Sequence, residues 1–176
     1  MIWAALGAAA VIGAAGLYWF EPWRLFTNST VDESLPSVGP TADQTQPEPS
    51  ATPTPQSPQN VLLATGSFIT HEHGTTGSTR LVRLAGGQVQ LTLENLATSD
   101  GPDLHVWLTD QPVIEGQAGW HVFDDGRYVE LGELKANNGN QVYDVPAGTD
   151  LEGLTSVTIW CKRFAVSFGA ATLNPV

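Results

Sequence analysis

From Val61 to Val176 apolar side chains recur at every second position, in short runs broken by turn residues. Val89, Leu91 and Leu93 alternate with Gln88, Gln90 and Thr92; Leu104, Val106 and Leu108 alternate with His105 and Trp107. Val157, Ile159 and Cys161 share one face of a later run, and Thr158, Trp160 and Lys162 share the other. A period of two belongs to a strand whose two faces meet different surroundings. Gly86-Gly87, Ser99 to Asp103, Asn137 to Asn140 and Pro146 with Gly148 punctuate the runs as turns. Strands are predicted over 61–70, 79–84, 88–93, 104–108, 128–131, 141–145, 155–162 and 165–168, with a short last one over 170–173. Residues 109–126 are long and irregular. No helical period lasts beyond a turn or two. Short strands at about 8–12-residue spacing predict an all-β domain over 61–176, an antiparallel β-sandwich or barrel-like fold.

The preceding 60 residues divide in two. Residues 1–26 open with MIWAALGAAAVIGAAGLYWF, which no charged side chain interrupts, with Trp3 at one end and Tyr18, Trp19 and Trp23 at the other. A run near 20 residues with aromatic ends predicts one N-terminal transmembrane helix, a signal-anchor held in the membrane through residues 2–20. The absence of a basic n-region argues against a cleaved leader. Residues 27–60 carry seven prolines, at 36, 40, 47, 49, 53, 55 and 58, among Ser, Thr, Gln and acids. Such a segment buries too little apolar surface to offset its ordering entropy, so it reads as a disordered linker. A Ser/Thr/Pro stalk of this kind lifts a domain off the outer face of a membrane, which places the C-terminal domain outside the cytoplasm. Asn28-Ser29-Thr30 matches the glycosylation sequon. With 18 acidic side chains against 7 Lys plus Arg and a net charge of −11, the chain offers no basic patch, so nucleic acid is not an expected partner.

Cys161 is the one cysteine, so no intrachain disulfide can form. It is either a small core hydrophobe beside Val157 and Ile159 or a reactive thiol. Lys162 and Arg163 follow it, and cations favour a thiolate. His71-Glu72-His73, in an extended segment, would put two imidazoles on one face. With His105 and Cys161 they have ligand types suited to Cu or Zn, but their spacing follows no zinc or blue-copper pattern, so no metal is assigned. Aspartates 100, 103, 110, 124 and 125 lack EF-hand spacing and read as turn formers. Neither a nucleophile elbow nor a phosphate-cradling glycine loop is present, so a stand-alone enzyme is not expected.

Several blocks, taken in order, resemble the DM-thirteen domain, a small extracytoplasmic β domain. They are Gly66-Ser67-Phe68 with His71 and Gly74, then Gly101-Pro102-Asp103-Leu104-His105-Val106-Trp107-Leu108. Leu131-Gly132-Glu133-Leu134-Lys135, Asn138 to Gln141, Tyr143 and Pro146 come next. Ser156-Val157, Ile159-Trp160-Cys161-Lys162, Phe164, Phe168-Gly169 and Ala171 close the set. The resemblance covers nearly all of 61–176 and implies an all-β domain; with the N-terminal anchor, the chain reads as a membrane-anchored, bacterial-type member. It also implies a role in electron transfer centred on the family's cysteine, here Cys161, as a free thiol or as a ligand of a prosthetic group such as haem. Cys161, Trp160, His105 and His71 are the expected site residues, and any redox partner would be a separate protein. The alternative is a cell-surface ligand- or protein-binding module in which Cys161 only packs.

Overall fold

The computed structural model describes residues 2–39 and 59–176; the prolines between 40 and 58 lie outside the described residues. A helix, α1 (Ile2–Phe20), forms at the N-terminus. It ends where Glu21 takes a left-handed φ of 41° and Pro22 opens a 3-10 turn, Pro22–Phe26. Among the described residues no helix is long and apolar enough to cross a membrane.

Among the described residues ten strands follow: β1 (Thr30–Asp32), β2 (Val61–Thr70), β3 (Thr76–Arg83), β4 (Val89–Ala97), β5 (Leu104–Thr109), β6 (Tyr128–Glu133), β7 (Asn138–Asp144), β8 (Ser156–Cys161), β9 (Val166–Thr172) and β10 (Asn174–Pro175). They form one curled sheet in the order β1-β7-β4-β3-β2-β9-β8-β5-β6, with β10 also on β2. The first part of β2 pairs with β3 and its last three residues pair with β9. That handover bends the sheet into a half-barrel, the barrel-like form of the all-β expectation. Phe68, Leu91, Leu93, Leu104, Val106, Val157 and Ile159 fill its concave side. Their burial is the driving force for the curl.

Two departures from the sequence reading have physical causes. Thr30–Asp32, assigned to the disordered linker, pairs in parallel with Asn138–Asn140, so the sheet is mixed. Asn138-Gly139-Asn140, read as a turn, is the start of β7. Gly139 has φ 103° and lies against the Val31 carbonyl, so a Cβ there would collide with β1. The glycine serves a close backbone approach, not a turn. The docked segment is held by polar contacts. Asn137, 2 % exposed, accepts from the Ser29 amide at 2.7 Å and donates to Thr98 O and Asn28 Oδ1, each at 2.9 Å. Lys135 Nζ lies 2.7 Å from Glu33 Oε2.

Both faces of β5 and β8 are buried. The inner face meets the half-barrel core. The outer face is covered by the irregular stretch after β5, which folds back and seats Phe123, Val113 and Val122 against Trp107, Trp160 and Ala170. This second apolar layer explains why β8 carries a large aromatic on the side opposite Val157 and Ile159.

Candidate functional site

The alternation of β8 places the expected site residues on different sides of the sheet. Cys161 sits at the C-terminal end of the strand, on the inner face, paired in register with Leu104 of β5 and Val166 of β9. It is fully buried and belongs to the aliphatic core. Burial pushes its thiol pKa up, against opposing backbone hydrogen bonds from Phe164 and Arg163. The resting group is therefore a protonated thiol at neutral pH. Its cover is the tight turn 162–165, where Ala165 holds a left-handed φ of 48°. That turn is itself gripped from the N-terminal side. Arg163 donates to Trp19 O at 2.7 Å, and Phe164 stacks on Phe20 at 5.6 Å.

Trp160, His105 and His71 share the outer face. Trp160 is 1 % exposed and pairs in register with His105. His105 Nε2 bonds Asp103 Oδ1 at 3.0 Å. Glu130 Oε1 lies 2.8 Å from its Nδ1, outside hydrogen-bonding geometry. Lys162 joins the same carboxylate at 3.1 Å. His71 is buried, and burial holds its pKa below the usual imidazole range, more strongly than its bond to Ile114 O raises it. Its partners fix the tautomer. Ile114 O, 3.1 Å from Nε2, can only accept, so Nε2 carries the proton. Nδ1 then accepts from Ser167 Oγ at 2.8 Å, and Ser167 accepts from Thr158. His73 Nε2 lies 2.6 Å from Glu72 Oε2, and its ring packs on Phe168 at 4.0 Å. Among the described residues no group of three or more His, Cys, Asp and Glu could hold a metal ion.

The structure thus gathers three of the four expected residues on one face and puts Cys161 on the other. Sequence reasoning missed Phe123, Tyr128, Asn137 and the acids around His105. Only a small signal existed for them: Tyr128 and Glu130 fall at strand positions two apart, hence on one side of β6.

A family model for electron transfer DM13 matches residues 67–173, more than half of the chain. The chain belongs to the electron transfer DM13 family. No curated protein and no solved structure matches it. In this DM13 domain the family-like blocks divide between two tasks. Lys135, Gln141 and Tyr143 build the polar joint at β7: Tyr143 donates to Gln141 Oε1 at 2.7 Å, and the Lys135 amide bonds Tyr143 Oη at 3.1 Å. Gly101 to Leu108 and Ser156 to Cys161 build the paired strands β5 and β8.

Haem does not fit the residues that the resemblance offers. A macrocycle needs an open face beside its ligand atom, and the Cys161 sulfur is enclosed by the core. Both ring nitrogens of His71 are bonded internally, and His105 stands between two carboxylates on the far side of the sheet. A cleft of ≈ 290 Å³ lies by Arg24, Asp100, His105, Lys135 and Asn137, and another of ≈ 300 Å³ by Phe20, His73, Phe164 and Phe168; Cys161 lines neither.

Proposed function

We propose that this chain is a membrane-tethered DM13 domain outside the cytoplasm, with a redox role centred on Cys161 and exercised with a separate partner protein. Family membership supports the redox part. The observation that carries the choice of residue is that Cys161 is the one sulfur between residues 2 and 176. Burial, with Asp103, holds its thiol pKa up, against backbone bonds from Phe164 and Arg163 that favour the charged form. The thiol at rest is closed to reagents, so exchange with a partner requires the 162–165 turn to lift. The contacts of Arg163 and Phe164 with Trp19 and Phe20 tie that motion to the end of α1.

The tether is proposed on the nineteen residues of α1, none of them charged. The described helix by itself falls short of a full crossing, so the anchoring reading rests on the apolar side chains that it exposes. Trp3, Val11, Ile12, Tyr18 and Trp19 are exposed along it, an arrangement favourable in lipid and costly in water.

Acid quench and alkylation of membranes that hold the full chain test the redox role: the Cys161 thiolate would attack a partner's disulfide, forming a mixed disulfide and releasing the partner's other thiol. A disulfide-linked adduct with the wild type that is lost in Cys161→Ala is expected. No adduct, or the same adduct in both, overturns the assignment. The second reading would then stand, a tethered recognition module; the sealed sulfur and the clefts at 100–105 and 164–168 favour it.

A further inference from the structure

The chain does not run free between α1 and the β domain. Among the described residues, the contacts of α1 with the domain fall at its last two residues. The Arg163 guanidinium lies 5.7 Å over the Trp19 ring, and Phe164 stacks on Phe20. Glu21, the next residue, pairs with Arg24 at 2.7 Å and with Arg163 at 3.6 Å. Arg24 donates to Gly101 O at 3.2 Å, and Thr27 Oγ1 donates to Asp100 Oδ2 at 2.6 Å. Ser29, β1 and Glu33 then follow on β7. Asn60 donates to Ser37 O at 2.8 Å, so the two flanks of residues 40–58 meet. Those residues leave and rejoin the described structure at one place and add no distance between α1 and the domain. Only the turn Pro22–Phe26 intervenes, about 10 Å at ~2 Å per residue.

We propose that the domain is not lifted off the membrane but lies on the lipid surface, with Trp19, Phe20, Trp23 and Phe164 in the lipid–water interface. This rests on the reading that α1 is held in lipid. The four rings are 57 %, 60 %, 51 % and 38 % exposed, and they gather where α1 meets the 162–165 turn. Aromatic side chains favour the interface, and the same area is costly in water. The cleft of ≈ 300 Å³ beside them, walled by Pro22, Pro102, Val166 and Phe168, offers a lipid chain a concave apolar seat. The contact is apolar and not ionic. Arg24 and Arg163 are both paired with Glu21, and a net charge of −11 opposes anionic lipid. Attachment should therefore be indifferent to salt. Lipid then holds down the turn that covers Cys161, which neither a free stalk nor a domain in bulk water would do.

Spin labelling of the full chain in phosphatidylcholine vesicles tests the docking. In a Cys161→Ala background, Ala165→Cys carries a nitroxide on the turn and keeps Phe164. Ala147→Cys carries one beyond the Asp144 end of β7, away from Asn138 and the docked β1. Both positions are exposed. Power saturation compares oxygen, which concentrates in lipid, with a water-soluble nickel chelate. The label at 165 should respond to oxygen more than to the chelate, in low and high salt alike, and the label at 147 should do the reverse. Adding Phe164→Glu should shift the label at 165 to the chelate, whereas deleting residues 41–57 should leave it in lipid. If the chain floats with the vesicles but the label at 165 responds to the chelate, or is unmoved by Phe164→Glu, the docking is overturned and the anchor stands. A shift on deleting 41–57 overturns it too, because those residues would then set the height of the domain. A label shielded from both reagents means that a second copy of the chain covers the turn, which also overturns it. A chain that does not float overturns the anchor and the docking together.

Discussion

In a Trp160→Ala variant the free energy of unfolding is expected to fall by about 3–5 kcal/mol, the range for removing a large buried aromatic. Trp160 fills the outer layer almost completely and contacts Trp107 and Phe123 on two sides. Its loss leaves a cavity between β8 and the cover that follows β5. Aromatic pairing adds roughly 0.5–1.5 kcal/mol per pair beyond buried area. Trp160→Phe keeps one ring in place and should lose distinctly less. Urea titration followed by far-UV circular dichroism measures both. A loss under about 0.5 kcal/mol for Trp160→Ala would be the size expected of a surface change, and would mean that the outer layer is not a core.

Asn137→Ala should cost about 1–3 kcal/mol, because it strips the partners from buried polar groups. The Thr98 carbonyl and the Ser29 amide both lose their side-chain bonds to this amide. The segment Asn28 to Glu33 should then detach from β7. Hydrogen exchange resolves this from a general loss of stability: the Glu33 amide, which bonds Asn140 O, should lose protection while the β5–β8 amides keep theirs. Equal loss at both places would show that Asn137 does not hold β1 in particular. Asn28→Ala removes one exposed partner and should have a small effect.

The strand positions were legible because each inner face repeats strictly, as in Leu104, Val106 and Leu108 or Val157, Ile159 and Cys161. The same parity already separated Cys161 from Trp160. What sequence could not supply was the meaning of that separation. His105 and His71 lie on Trp160's side, so a set of residues assembled by chemical type divides across a sheet. The short strand Thr30–Asp32 carries no apolar alternation and is held by backbone pairing and by Asn137, Lys135 and Gly139, far away in sequence. Gly139 in Asn-Gly-Asn looks like turn chemistry until a neighbouring backbone is seen to occupy the place of its Cβ. Burial of Phe123 likewise depends on a long irregular stretch folding back, which periodicity does not encode. The stacking of Trp107 on both Tyr128 and Trp160 arises from register between β5, β6 and β8, which is a tertiary property.

The central claim is that the Cys161 sulfur is protonated and sealed inside the half-barrel until the 162–165 turn moves. Titration of the full chain with an excess of a chromogenic disulfide reagent at neutral pH tests it most directly. The account expects no release of chromophore from the folded protein on the timescale of a free thiol, and one equivalent as soon as denaturant unfolds the domain. Immediate reaction of one equivalent in the folded protein would contradict it.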